Sequence, residues 1–158
     1  MTESEEQLLG GSVLVVDDDA TARRSLTRIL NAHGYRTSEA ESGKAALNIL
    51  SRESYDVVVL DLMMPGMSGV EVCQLIRKNP QFGRVPVVLV TAYDEKEYRI
   101  QGKQAGAEDF LVKPVDEIEL TVRIRNLVML RRYYQHLEKE RAKLQQTVDE
   151  QSTLIGKA

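Results

Sequence analysis

The chain has 158 residues, enough for one ordinary domain with its own core and an extension. Its 21 basic and 24 acidic residues give a net charge of -3, which excludes a general electrostatic attraction to nucleic acid or to an anionic membrane. A single cysteine excludes an internal disulfide framework, and no apolar run reaches the roughly 20 residues that span a bilayer. We therefore expect a cytoplasmic protein that binds neither nucleic acid nor membrane, and a flexible acidic tail over residues 1–11.

Short apolar runs alternate with amphipathic stretches from residue 12 onward. The first run, residues 12–16, leads into three adjacent carboxylates, Asp17, Asp18 and Asp19. A helical repeat follows and stops at Gly34, and residues 35–40 alternate like a strand before a second helix around residues 45–50. The pattern of strand followed by helix occurs five times in all. It predicts an α/β fold, a doubly wound parallel sheet with helices on both faces.

The third apolar run, residues 57–60, is typical of a strand buried on both faces, and it ends at Asp61. After a loop with Pro65 and Gly66, Ser68 and Glu71 form a capping box that starts the third helix. The fourth and fifth runs, residues 87–90 and 110–112, end in polar residues too. Because the carboxyl ends of parallel strands share one edge of the sheet, we expect five side chains to meet there. They are Asp17, Asp18, Asp61, Thr91 and Lys113.

Three carboxylates at one edge repel each other unless a cation lies between them. Mg²⁺ prefers such oxygen ligands, and it keeps coordination positions open for a phosphoryl oxygen. Neither His33 nor His136 has the spacing of a zinc ligand. Lys113 and Thr91 would stabilise an arriving anion as a point charge and a hydrogen-bond donor. The chemistry that these residues predict is transfer of a phosphoryl group to a carboxylate.

The last helix is predicted to continue past the domain as a coiled coil over residues 131–158. Its apolar residues follow a heptad register that is interrupted by Arg141 and Gln151 and covers about four heptads. A monomer would leave this stripe in water, so association is favoured over a helix docked on its own domain. The stripe consists of Leu127, Leu130, Tyr134, Leu137, Leu144, Val148 and Ile155.

Four segments, VLVVDDD, VVVLDLMMPGMSG, VLVTAY and GAEDFLVKP, together resemble the receiver domain of two-component response regulators in their order and spacing. The resemblance covers residues 12–130. It implies a flavodoxin-like sheet with strand order 2-1-3-4-5. It also implies that Asp61 is the phosphoacceptor and that Asp17 and Asp18 bind Mg²⁺, or alternatively Mn²⁺, together with Asp61 and the backbone carbonyl of Met63. Asp19 is then a neighbour of the metal site.

The resemblance also implies roles for residues on the later strands. Thr91 binds a phosphoryl oxygen, and Lys113 pairs with the phosphate, its direction set by a cis peptide bond to Pro114. Phe110 matches the switch aromatic of the family, which turns inward on phosphorylation, although many members carry tyrosine there. Met63 and Tyr93 occupy places that influence attack of water on the phosphate. Both are bulky, so we expect a long-lived phosphoryl group.

Several partners follow from the same resemblance. We expect a histidine kinase or a phosphotransfer protein as phosphoryl donor, a homodimer through the coiled coil, and an output domain outside this chain. The domain would not be an enzyme, apart from catalysing its own phosphorylation and dephosphorylation. Two alternatives stay open. One is an interaction module whose acidic pocket takes no phosphate, and the other is a haloacid-dehalogenase-like phosphatase, because Asp17, Asp19 and Thr21 fit its DxDxT pattern.

Overall fold

Five parallel strands form the centre of a computed structural model that describes residues 10–156. Their order across the sheet is β2-β1-β3-β4-β5, so the predicted flavodoxin-like order is confirmed. The valine-rich strands β3 and β4 are buried along their whole length, as the unbroken apolar runs predicted. The strands are β1 (Ser12–Val16), β2 (Arg36–Ala40), β3 (Val57–Asp61), β4 (Val87–Thr91) and β5 (Asp109–Val112).

Helices cover both faces of the sheet and enclose two hydrophobic cores. Alternate strand residues point to opposite faces. Leu14, Val58 and Leu89 therefore pack with α2, α3 and α4, whereas Val15, Val59 and Val90 pack with α1 and α5. The helices are α1 (Ala20–Ala32), α2 (Gly43–Arg52), α3 (Gly69–Lys78), α4 (Lys96–Ala105) and α5 (Glu117–Gly156).

The helix boundaries follow local capping chemistry. The Ser68 hydroxyl accepts a hydrogen bond from the Glu71 N–H at 3.2 Å and starts α3 as predicted, and Asp116 caps α5 in the same way. The predicted strand start at Tyr35 is wrong by one residue. The Tyr35 N–H donates to the Leu30 carbonyl at 3.1 Å in the turn that ends α1, so β2 begins one residue later. In that turn Gly34 has φ +89°, a conformation that favours glycine.

A partly buried ion pair holds the starts of β4 and β5 against α3. The Arg77 guanidinium donates two 2.8 Å bonds to Glu108, and it also donates to the carbonyls of Gly83, Val85 and Gly106. Glu108 accepts a further bond from the backbone at the first residue of β4. Burial raises the pKa of Glu108 even though Arg77 attracts the charged form. The pair therefore fixes where these two strands begin, and so where they end.

The long helix α5 has two environments along its 40 residues. Its first turns carry Leu120, Ile124, Leu127 and Val128 in the core, so Leu127 is not a free position of the predicted stripe. The stripe is exposed from Tyr134 onward, over about three heptads. Among residues 10–156, none of the helices combines the length and the apolar composition needed to cross a membrane.

Both ends of the chain reach beyond the described residues. The predicted flexible tail, residues 1–11, lies outside them except for Gly10 and Gly11, and residues 157–158 of the extension also lie outside. The Gly10 carbonyl accepts a hydrogen bond from the Arg132 guanidinium. The described chain therefore begins against α5.

Candidate functional site

The ends of four strands meet at one edge of the sheet, as the alternating pattern predicted. Asp17 follows β1, Asp61 is the last residue of β3, and Lys113 follows β5. The Lys113 ammonium donates to Asp17 Oδ2 at 3.0 Å and lies 3.5 Å from Asp61 Oδ1. Thr91 ends β4, one residue past Val90, which is the register partner of Asp61. The sheet thus places a cation, a hydroxyl and the carboxylates in one small cleft.

The backbone after Asp61 folds back closely on its own strand. The Gly69 N–H donates to the Leu62 carbonyl at 2.8 Å, and a side chain at Gly69 would overlap the Asp61 backbone. The Met63 backbone favours the ionised carboxylate of Asp61 and so lowers its pKa. This loop therefore places a polar backbone group near the carboxylate.

The cleft holds more negative charge than its one lysine compensates. Burial, and after it the charge of Asp17, raises the pKa of Asp61 to about 6, although Lys113 and the Met63 backbone favour the ionised form. Burial alone would lower the pKa of Lys113, but its hydrogen bond to Asp17 and the attraction of both carboxylates outweigh burial and raise that pKa. Lys113 is therefore charged, and the cleft attracts a further cation.

Three carboxylates fit a small divalent cation. One carboxylate oxygen from each of Asp17, Asp18 and Asp61 lies within 4.8 Å of the others. Asp17 and Asp61 are buried whereas Asp18 is exposed, so the cluster opens to solvent on the Asp18 side. An all-oxygen cluster open to water matches the preference of Mg²⁺, which usually keeps several waters. Asp19 stands apart from the cluster because its side chain caps α1, accepting from the Thr21 N–H at 3.0 Å.

The Thr91 hydroxyl is buried and already hydrogen-bonded. It accepts from the Tyr93 N–H at 3.0 Å, so the loop after β4 is tied to this side chain. The side chains of Tyr93 and Met63 are about half exposed, at 53% and 50%. Each lies two residues after a strand end that forms the cleft. Both are therefore accessible to a partner or to water.

Phe110 is buried beneath α4, with 6% of its surface exposed. A side chain on Gly102 would overlap its ring, and the Arg99 guanidinium lies 5.9 Å from the ring centroid. The inward orientation predicted for a phosphorylated state is thus the one that this structure has. Exchange with an outward orientation stays a prediction. The Lys113–Pro114 peptide bond is cis, as the resemblance implied.

Two supporting residues were missed by sequence reasoning. Gly102 makes room for the Phe110 ring, and its signal is a glycine inside an otherwise polar helix. Arg23 donates to the Asp17 carbonyl at 2.8 Å and to Glu39 at 3.0 Å, linking α1 to the ends of β1 and β2. Nothing in the sequence distinguishes Arg23 from the other arginines of α1.

Comparison with known proteins gives one consistent family. The model of the response regulator receiver domain matches residues 13–125. Response regulator PleD of Caulobacter vibrioides is 40% identical over 134 residues, which are 85% of this chain and 30% of PleD. Transcriptional regulatory protein ResD of Bacillus subtilis is 42% identical over 116 residues, 73% of this chain and 47% of ResD. The chain thus spans less than half the length of these two relatives.

A solved structure resembles most of the chain. It is the receiver domain of the sensor histidine kinase PA1611 from Pseudomonas aeruginosa, with a magnesium ion coordinated in its active site cleft. It is 28% identical in sequence, and the match covers 75% of this chain and 98% of that domain with a TM-score of 0.70. The similarity therefore extends over nearly all of that receiver domain and about three quarters of this chain.

The burial of Asp61 beside the charge of Asp17 predicts that Asp61→Asn stabilises the protein at pH 7 without divalent cations. The pKa of Asp61 rises from 3.8 to about 6 on folding, so the folded state binds more protons between these values. Stability of the wild type therefore falls as pH rises through this window. The Asp61→Asn variant has no carboxylate to ionise at this position, so its stability does not fall in this window. At pH 7 we expect its free energy of unfolding to exceed that of wild type by an amount on the order of 1–3 kcal/mol.

Urea unfolding in chelator, followed by circular dichroism, measures this difference. The gap between Asp61→Asn and wild type should be small near pH 4 and should open toward pH 7. Asp116→Asn is the matched control, because it removes an exposed carboxylate and leaves a residue that still caps a helix. An Asp61→Asn variant less stable than wild type at pH 7, or a stability difference that does not depend on pH, would contradict the conclusion that ionised Asp61 destabilises the folded protein.

Proposed function

The chain belongs to the response regulator receiver domain family, and from this premise we propose that Asp61 accepts a phosphoryl group from a histidine kinase or a phosphotransfer protein. The observation that supports this most is the position of Asp61. It is the carboxylate at the end of β3, 3.5 Å from the Lys113 ammonium and beside Asp17 and Asp18. The family is a family of signalling domains of two-component systems, and we propose no turnover beyond self-catalysed phosphorylation and dephosphorylation.

The proposed step is a displacement at phosphorus. A carboxylate oxygen of Asp61 forms the new P–O bond while the P–N bond of a phosphohistidine breaks, and the imidazole leaves with the bonding electrons. Lys113 would pair with the transferred group, and the Thr91 hydroxyl would donate to one of its oxygens. Both residues lie at strand ends next to Asp61, so little movement is needed.

We propose that Asp17, Asp18 and Asp61 hold Mg²⁺, with Mn²⁺ as an alternative and with the Met63 carbonyl as a further ligand. When bound, the ion neutralises charge on the carboxylates and on the phosphoryl oxygens. The excess negative charge of the cleft and the spacing of the three carboxylates support this assignment. The PA1611 receiver domain, similar over nearly its whole length, has magnesium in its own cleft.

Phosphorylation would act on the rest of the domain through charge. It adds about -1.5 to -2 units of charge and three acceptor oxygens, which attract the Thr91 hydroxyl away from the Tyr93 N–H. Thr91 lies two residues past Leu89, the register partner of Phe110, so movement of Thr91 would change the space around the Phe110 ring. Asp109, next to Phe110, is paired with Arg123 of α5. We propose this route from Asp61 to the long helix.

The extension is proposed as the signal output. Residues 12–130 act as the receiver, and residues 131–158 associate with a second copy and connect to an output domain outside this chain. Relatives such as PleD and ResD continue well beyond the matched part. The exposed stripe from Tyr134 onward supports association, because a stripe of this length is unfavourable in water.

The two alternatives differ from this proposal at identifiable residues. A haloacid-dehalogenase-like phosphatase would need Asp19 and Thr21 in its site, but Asp19 caps α1 and Asp61 takes its place in the carboxylate cluster. No geometric feature of the described residues favours that enzyme. An interaction module without phosphorylation has the same fold, so only a chemical test separates it from the proposal.

Phosphorylation by acetyl phosphate is the direct test. Wild type with Mg²⁺ should gain the mass of one phosphoryl group, whereas Asp61→Asn should gain none, and chelation should suppress the reaction. Asp19→Asn is the matched control, because it changes the neighbouring acid that caps a helix and should retain the reaction. An unmodified wild type would favour the interaction module. Hydrolysis of a phosphomonoester that requires Asp17 but not Asp61 would favour the phosphatase.

Met63 and Tyr93 are proposed to lengthen the life of the phosphoryl group by hindering water. Met63→Asn and Tyr93→Glu should each lose phosphate severalfold faster, which corresponds to about 1 kcal/mol in the barrier to hydrolysis. The decay of the phosphorylated form, followed by mass after removal of acetyl phosphate, gives the rates. Ile118→Asn, at another exposed apolar position far along the chain, should decay like wild type. Equal or slower loss in both loop variants would contradict the proposal.

A further inference from the structure

The part of α5 beyond residue 133 carries an apolar stripe that the described residues leave largely exposed. Arg84 of the receiver, which pairs with Glu138, lies beside its start and lines a cavity with Leu137 and Arg141. Four side chains of the stripe are 43–77% exposed: Leu137, Leu144, Val148 and Ile155. They lie at alternating spacings of seven, four and seven residues on a continuous helix. The proposed function assigns a second copy of the chain to this stripe, and the inference below rests on that assignment. The question that remains is how the two helices are oriented.

Two polar residues interrupt the stripe at symmetric positions. Arg141 lies between Leu137 and Leu144, and Gln151 lies between Val148 and Ile155. Arg141 and Gln151 are equally far from residue 146, and the same is true of Leu144 and Val148 and of Leu137 and Ile155. The stripe therefore has the same order of polar and apolar residues when it is read in either direction.

We propose that the extensions of two chains pair as an antiparallel coiled coil with its two-fold axis at the level of residue 146. In this register Leu144 packs against Val148 of the second copy, and Leu137 against its Ile155. Arg141 lies opposite Gln151 of the second copy, where a guanidinium can donate to the amide oxygen. All apolar positions of the stripe from Leu137 to Ile155 then face apolar positions, and the two polar positions face each other. Such a contact is isologous, which is the usual symmetry of a dimer.

Other pairings place unlike or repelling groups together. In a parallel pair in register, Arg141 faces the same residue of the second copy, so two guanidinium groups meet inside the seam. An antiparallel pair shifted by one heptad sets Arg141 against Leu144 in one direction, or Gln151 against Val148 in the other. Each of these pairings buries a polar group without a matched partner, which is unfavourable. The register centred on residue 146 avoids both the repulsion between two Arg141 guanidinium groups and the burial of a polar side chain against an apolar one.

The charges beside the seam are compatible with the antiparallel arrangement. The charged residues that flank the seam in this register are Glu138 and Glu140. They face Ser152 and Leu154 of the second copy, so no like charges meet across the seam. At the two-fold axis, Gln145 and Thr147 each lie near their own counterparts, and both are uncharged.

The geometry also leaves room for the receiver bodies. Pairing centred on residue 146 overlaps residues 136–156 of both chains, a length of roughly 32 Å at 1.5 Å per residue. The last fully buried residue of α5 is Val128, so the overlap begins about two turns beyond the core. There the Arg84 side chain pairs with Glu138, and because that side chain is 70% exposed it can lie at the rim of the seam. The two receivers then lie at opposite ends of the paired helices. Phosphorylation of Asp61 in either chain would therefore affect the same coiled coil, from the end at which that chain's receiver lies.

Cysteine cross-linking at the polar seam positions tests the orientation. Arg141→Cys and Gln151→Cys are prepared in full-length chains with distinguishable masses, oxidised separately and then as a mixture. Both changes spare the apolar positions, and Arg141→Cys also removes the repulsion that disfavours a parallel pair, so it does not bias the result toward the proposal. Cys73 stays as the background thiol, since it is buried and burial raises its pKa to about 11. Lys139→Cys is the control for collisional cross-linking.

The antiparallel register predicts that the mixture yields a disulfide between position 141 of one chain and position 151 of the other, and that each variant alone yields no more than the control. Self-cross-linking of Arg141→Cys or Gln151→Cys alone would overturn the proposal in favour of a parallel dimer. A dimer in light scattering without the mixed cross-link would overturn this register. A monomer at every concentration would overturn the association assigned to the extension, while phosphorylation of Asp61 would be unaffected.

Discussion

The concentration of negative charge at the end of the sheet is the constraint on which the rest of the structure depends. Two buried carboxylates and one exposed carboxylate share a cleft with a single lysine. Burial, and after it the charge of Asp17, raises the pKa of Asp61 to about 6. Such an arrangement is unfavourable on its own. In the proposed function a divalent cation, and then a phosphoryl group, would offset this cost. The energetic cost in the free protein would then make the site responsive to both.

The fold keeps this unfavourable cluster in place. Asp17 directly follows β1 and Asp61 ends β3. These adjacent parallel strands are buried in two cores, so the carboxylates cannot move apart without disturbing the sheet. The Arg77–Glu108 pair fixes the starts of β4 and β5 on the opposite side, and thereby the positions of Thr91 and Lys113 at their ends. On the edge strand, the Asp109–Arg123 pair connects β5 to α5. The edge that carries the chemistry is thus linked to the helix that leaves the domain.

Periodicity and capping predicted most of this architecture. Buried valine runs identified β3 and β4, and the Ser68 and Asp116 caps located helix starts, because both signals act between residues close in sequence. Contacts between distant residues, such as Arg77 with Glu108, left no comparable signal. The heptad pattern likewise began at Leu127, because an apolar residue on a helix looks the same whether it faces its own core or a second chain. Only the packing of α5 in the structure shows which of its apolar residues face the core and which are exposed.

Hydrogen exchange along α5 measures the link between the carboxylate cluster and the extension most directly. Exchange is compared between wild type with Mg²⁺ alone and wild type with Mg²⁺ and beryllofluoride, which mimics a phosphoryl group on a carboxylate. The Asp61→Asn variant is the control, because it cannot form the adduct. The account predicts altered protection in three segments: the loop after Thr91, strand β5, and α5 beyond residue 133. Unchanged exchange in α5, in protein shown by mass to carry the adduct, would contradict it.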